Sequence, residues 1–325
     1  MSGSLLAPVP DVNTSALQVL SEAIVVDKSL QGATIQGVRL DLPDERYLEV
    51  SLANAIYRQF HACQNDSAGA LRPQRVAALE EKFAAAIPVP EFEQSAIFLG
   101  PAETEGLRET HSLVSLDGIK VCLEKHLVVS DHTAQVMNAN VIVNLPAARP
   151  AASPGFFYIL GAAASRAAKP NRTVRLYVNV TEPDQAPSVW GSVLSTLETI
   201  GHRYSAKVLS DPAAYPRNDA IVAYIGDPGM EELHELAATI AGTPGVGSAT
   251  SVFAERIAEG ISIAEEPCDR RPTMRNLSFG QHRSLLYAKT LICSARENRS
   301  LDEELRRHLI AAGVDPARPA MNFAG

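Results

Sequence analysis

The chain has 325 residues, enough for one large domain or two ordinary ones, and its 46% hydrophobic and 20% charged residues suit a globular fold. A net charge of −8 argues against a nucleic-acid binder that works by counterion release, but leaves room for a local basic pocket holding one anion. Apolar runs such as FFYILGAAA are about half the length a bilayer needs, and no basic stretch precedes an apolar core at the N-terminus, so the reading is cytoplasmic, without membrane partner or signal peptide.

The first part, to about residue 90, reads mainly helical. NTSALQVLSEAIVV offers Asn13, Thr14 or Ser15 as N-cap before an apolar periodic run. GATIQGVRLDLP suggests a short hairpin or loop. YLEVSLANAIYRQFHACQ repeats apolar residues at three- and four-residue steps, and RPQRVAALEEKFAAAIPVP is a helix stopped by prolines. From about 95 to 150, GIKVCLEKHLVVS and NANVIVNLP look like strands. LPAARPAASPG (145–155) is the candidate boundary between an N-terminal, mainly helical recognition region, 1–150, and a catalytic region, 151–325.

Beyond it, GFFYILG, TVRLYVNV, RYSAKVLS and AIVAYIG read as strands, with DPAAYPRND as the loop before the last of them. PDQAPSVWGSVLSTLETIG and DPGMEELHELAATIAGTPG are helices, Asp227 capping the second. RNLSFGQHRSLLYAKTLICSARE begins as a loop and becomes a helix. SLDEELRRHLIAAGV closes the chain with Ser300 and Glu303 placed for a capping box. The fold class is α+β: a mixed, largely antiparallel sheet flanked by helices, with a helical N-terminal region.

Several chemistries lack their motifs. There is no phosphate-binding loop of the G-x-x-x-x-G-K-[ST] type, no G-x-G-x-x-G after a strand and no G-x-S-x-G elbow. Cys63, Cys122, Cys268 and Cys293 are far apart and read as reduced thiols, and none of the eight histidines pairs as H-x-x-x-H, so neither metal nor cofactor is expected. What remains is a set of strands carrying polar groups at period two. Arg175, Tyr177 and Asn179 share one face of their strand, with Val174, Leu176 and Val178 opposite. Arg203, Ser205 and Lys207 share a face of the next. Tyr224 sits on the third, and Arg217 and Asp219 in the loop before it. Ser278, His282 and Arg283 stand where a helix N-terminus offers free N–H groups to an anion.

The stretches SPGFFYILG, VRLYVNV, RYSAKVLSDPAAYPRNDAIVAYI, GISIAEEP and SFGQHRSLLYAKTL resemble the HopA family of type III secretion effectors. They also resemble its relatives, the lyase proteins of class V lanthipeptide and thioamitide clusters. That resemblance implies a separate kinase-like protein that phosphorylates Ser or Thr of a precursor peptide, and a lyase that eliminates the phosphate to leave dehydroalanine or dehydrobutyrine. A more distant resemblance, to phosphothreonine lyases, implies Lys207 as base, Arg175, Arg217 and Arg283 on the phosphate, and Tyr224 beside it. Tyr177 stands where those enzymes have an acid histidine. The acid is then Tyr177, or a histidine such as His202 or His282, or is not needed.

The chemistry asks for these residue types. A Cα proton is weakly acidic, so its base must be an uncharged amine, which burial and neighbouring cations favour in a lysine. Arginines hold phosphate through forked, charge-assisted hydrogen bonds. The expectation is Lys207 as base, Tyr177 or His282 as acid, Arg175, Arg203, Arg217 and Arg283 on phosphate, and Asn179, Tyr224 and Asp219 toward the substrate. The other reading is a non-catalytic, effector-like module that binds a peptide or protein.

Overall fold

The computed structural model describes residues 15–42, 44–64, 74–129, 136–150, 152–165 and 170–323. Asn13 and Thr14 lie outside these residues. Ser15 caps the first helix, its hydroxyl accepting from the Gln18 N–H at 3.2 Å.

The N-terminal part combines helices with a small sheet. Helix α1 (Ala16–Ala23) leads into β1 (Ile24–Val26), β2 (Gly32–Ile35) and β3 (Val38–Asp41), an antiparallel sheet in that order. Gln36 and Gly37 both have positive φ, 49° and 80°, the primed turn that matches strand twist, so this stretch is a hairpin. Helix α2 (Leu48–Ile56) continues as a π-helical turn, Tyr57–His61, and α3 (Ala77–Ala85) follows.

The region to residue 150 is therefore helical only in part. Beyond α3 come β4 (Glu91–Pro101), β5 (His111–Leu116), β6 (Ile119–Glu124), β7 (Val128–Val129) and β8 (Asn140–Pro146), antiparallel in the order β6-β5-β4-β8-β7. The cause is period two: Phe92, Ala96 and Phe98 of β4 face inward onto Val114, Val143 and Leu145.

The large sheet comprises β9 (Phe156–Leu160), β10 (Thr173–Val180), β11 (Tyr204–Leu209), β12 (Arg217–Gly226), β13 (Glu255–Ala258) and β14 (Ile261–Glu265). Its order is β13-β14-β10-β12-β11-β9, every pair antiparallel. One face is largely apolar, with Val174, Leu176, Val178, Ile221, Ala223 and Ile225 at its centre. Helices α3 and α4 (Ala186–Ile200) cover it, with Phe83 6.1 Å from Phe157 and 6.4 Å from Trp190 between ring centroids. Helix α5 (Met230–Ala241) packs beside α4. The other face is covered at the β10 end by the π turn and by α6 (Phe279–Glu297), whose Phe279 ring lies 6.0 Å from Tyr177. Helix α7 (Leu301–Ala311) packs on α6. Leu20, Leu52, Ile56 and Phe83 belong to the same continuous core as Leu176, Ile221 and Leu286, whereas the five-stranded sheet has its own.

Three local expectations change. Arg217 and Asp219 are not in a loop: β12 starts at Arg217, anchored where the Asn218 N–H donates to the Ala62 carbonyl at 3.0 Å. Helix α5 is capped at Gly229, whose N–H donates to Glu232 at 2.7 Å. Asp227, at φ 49°, instead accepts from the Asn171 and Arg172 N–H groups. At α7, Ser300 makes no side-chain cap bond, so no capping box with Glu303 forms.

Candidate active site

Residues paired across antiparallel strands share a face, so the register sets out the site. Ser205, Tyr224, Arg175 and Ala264 form one row across β11, β12, β10 and β14. Tyr158, Lys207, Val222, Tyr177 and Ser262 form the next. Two rings tie the cations together. Arg175 Cζ lies 4.9 Å from the Tyr224 ring centroid, and Lys207 Nζ lies 5.9 Å from the same ring. Lys207 Nζ is also 4.4 Å from the Phe156 centroid, with Arg217 Cζ 5.9 Å from that ring. Such contacts favour the cationic groups on aromatic faces and fix where they stand. Above them opens a cavity of about 510 Å³ lined by Lys207, Tyr224, Tyr158, Ser205, Thr173 and Glu266.

Lys207 and Tyr224 reach this cavity; the arginines stand behind carboxylates. Arg175 is only 7% exposed, and its guanidinium forks onto Glu266, Nη2 lying 2.7 Å from Oε1. Arg217 forks onto Asp219, Nε 2.7 Å from Oδ1 and Nη2 2.8 Å from Oδ2. The Tyr57 hydroxyl bridges that pair, accepting from Arg217 at 3.3 Å and donating to Asp219 at 3.2 Å. Burial alone would raise the Asp219 carboxyl, but the Arg217 charge overrides it and holds the group well below the usual carboxylate range.

The floor comes from the π turn. His61 is 2% exposed, its Nδ1 lies 2.7 Å from Ser251 Oγ, and its ring stands edge-on to Tyr177 at 5.4 Å. Burial pushes its pKa down to about 4, against the pull of Asp219 and with the help of Arg217, Arg175 and Lys207, so the ring is neutral. Tyr177 is 2% exposed, and its hydroxyl has no hydrogen-bond partner. Burial raises its pKa further, the Arg175 charge opposing.

Other expected residues stand elsewhere. His282 and Arg283 are fully buried, because positions 279, 282, 283 and 286 form the inward stripe of α6. His282 Nε2 lies 3.0 Å from Asp269 Oδ2, and Nδ1 accepts from Arg283 Nη1 at 2.6 Å. Burial brings the His282 pKa to about 4, and Arg283 to about 10. Arg283 Nε donates to the Pro319 carbonyl at 2.7 Å, and its charge rests 4.8 Å from the Phe279 ring. Neither side chain lines the cavity. His202 is engaged by Glu232 at 3.0 Å. Asn179 is buried and donates to Asn218 at 2.7 Å, a tie between strands. Arg203 lies exposed just before β11 and lines a second cavity that adjoins the first at Ser205 and Tyr224. Among the described residues, Cys293, Glu304 and His308 are grouped as metal ligands would be. That carboxylate, however, already pairs with Arg299 and Arg307.

Tyr57, His61, Phe156 and Glu266 are the members that strand alternation missed. Their one signal in the sequence is the four-residue step from Tyr57 to His61, which puts both on one side of a helical turn.

Residues 147–321 match the HopA1 effector protein family. The chain belongs to that family. Among solved structures it is similar to an effector protein from Pseudomonas syringae pv. syringae strain 61, at 15% identity and a TM-score of 0.47, over 86% of this chain and 94% of that one. An effector protein from Pseudomonas syringae pv. tomato strain DC3000 gives 14% identity and a TM-score of 0.47 over 86% and 97%. No curated protein matches the chain. Among the described residues, no helix is long and apolar enough to cross a membrane.

Proposed function

We propose that this HopA1-family protein is a lyase that eliminates phosphate from phosphorylated Ser or Thr of a precursor peptide, the phosphate being placed by a separate kinase-like protein. The observation that carries this reading is the convergence of Arg175, Lys207 and Arg217 on two shared rings, with Lys207 at the cavity wall. In the reaction the Lys207 amine takes the Cα proton. The electron pair of that bond forms the Cα–Cβ double bond, and the Cβ–O bond breaks. The leaving phosphate ends protonated, so one proton moves from carbon to phosphate overall. Arg175 turns from Glu266 to the phosphate, and Arg217 holds the field from beneath Phe156. Fixed cations of this kind act on charge as it develops on the leaving oxygen. Tyr224, between Arg175 and Lys207, is the phenol nearest the reacting atoms.

The test is a phosphothreonine peptide followed by mass spectrometry. The expected product has lost phosphoric acid, and Lys207→Ala should lower the rate by about 10²–10⁴-fold while remaining folded. A folded Lys207→Ala protein working at the wild-type rate removes the assignment. Loss of the phosphoryl group alone, leaving threonine, makes the protein a phosphatase. The pairing of both arginines with carboxylates favours a second reading, a non-catalytic peptide-binding module, which predicts retained binding and an unchanged peptide mass.

A further inference from the structure

The cleft does not end at Tyr224. A second cavity, of about 320 Å³, shares Tyr158, Thr173, Ser205 and Tyr224 with the first. Its far wall is the five-stranded sheet: Phe92 and Gln94 of β4, and Asp117 at the tip of the β5–β6 hairpin. That tip is rigid by construction. Asp117 and Gly118 have φ of 50° and 83°, the two-residue primed turn, and Gln94 Nε2 reaches Asp117 Oδ2 at 3.4 Å. Phe92, Pro170 and Tyr204 give the cavity apolar walls, Gln94 and Ser205 bring polar atoms to it, and Asp117 and Arg203 bring one charge of each sign.

This arrangement has the make-up of a peptide subsite: apolar surface for a side chain and a few fixed polar groups for a backbone. Its continuity with the Lys207 cavity says which peptide. We propose that the second cavity binds an uncharged residue flanking the phosphorylated one in an extended peptide, so that the small sheet and the large sheet read the substrate together. The assignment rests on the lyase reading for the identity of the neighbouring residue. Asp117 and Arg203 set one charge of each sign at the wall, so neither an acidic nor a basic side chain is favoured there over an uncharged one.

The experiment compares N-acetyl phosphothreonine methylamide with a phosphothreonine peptide extended by several uncharged residues on both sides. Wild-type protein should turn over the extended peptide with kcat/KM at least about tenfold higher, equivalent to roughly 1.4 kcal/mol. Gln94→Ala and Asp117→Gly, which remove two of the fixed polar groups of the second cavity, should erase most of that advantage through KM while leaving the short substrate, which does not reach them, unaffected. Equal preference for the long peptide in wild type and both variants overturns the subsite while leaving the lyase intact. If neither substrate is turned over, the lyase reading fails, and affinities measured calorimetrically decide the subsite alone. A length preference that is lost in the variants supports it, and equal affinity for both lengths ends it.

Discussion

Glu266 occupies the face of Arg175 that a phosphate would need. Its carboxylate side chain is 43% exposed and lines the cavity, whereas the arginine beneath it is nearly enclosed. Its backbone is pinned, the N–H donating to the Thr173 carbonyl at 2.9 Å, so only the side chain need swing aside. Glu266→Gln should therefore bind inorganic phosphate about tenfold more tightly than wild type, read as a larger phosphate-dependent rise in Tm. An equal or smaller rise would mean that Arg175 never receives the anion. At this scale the sequence was informative where period two applied. Arg175, Lys207 and Tyr224 could be put on one face because strands force alternation. Tyr57 and His61 could not, because what brings them there is helix packing across more than a hundred residues of chain, which leaves no local pattern.

Among the elements, α6 and the π turn fit each other at a glycine. A Cβ at Gly280 would come within 2.2 Å of His61 Cδ2. Alanine in place of glycine ordinarily favours a helix by about 1 kcal/mol. Here Gly280→Ala should destabilise by about 1–3 kcal/mol, since the ring it strikes is walled in by Tyr177 and Phe253. A Tm above wild type would show that the π turn yields freely. Four strands of the large sheet, β9 to β12, were legible from their apolar runs while β13 and β14 were not, and the Ser278 cap, with its Gln281 box, stands where the sequence put a helix start. The small sheet was only half legible. In β4 the alternation hides behind glutamates, and the Asp117–Gly118 dipeptide, a strong hairpin signal, sat unread between β5 and β6.

Acid should weaken the whole molecule for one shared reason. Burial holds His61 and His282 at pKa values of about 4, against roughly 6.5 in an unfolded chain. Asp269 is held at about 2 and Asp219 lower still, despite burial. In every case the folded state binds fewer protons than the unfolded one, so stability falls as pH drops. The histidines act from about 6.5 downward, and the aspartates below about 4. Calorimetry should find Tm highest above pH 6.5 and declining through pH 5; a Tm that stays flat from pH 8 to 5 overturns this. The antiparallel sheet with helices on its faces was readable from element order alone. The two-part division at residue 150 was not visible in the packing, because Leu20, Leu52 and Phe83 sit in one core with the strands after it. The same intimacy bears on inheritance. The stretch that matches the family, 147–321, carries Lys207 but lacks the tyrosine that bonds Arg217 and the imidazole beside Tyr177. A gene encoding that stretch alone would make a protein with a bare apolar flank and a loosened charge cluster, so the candidate site is not whole without the first ninety or so residues.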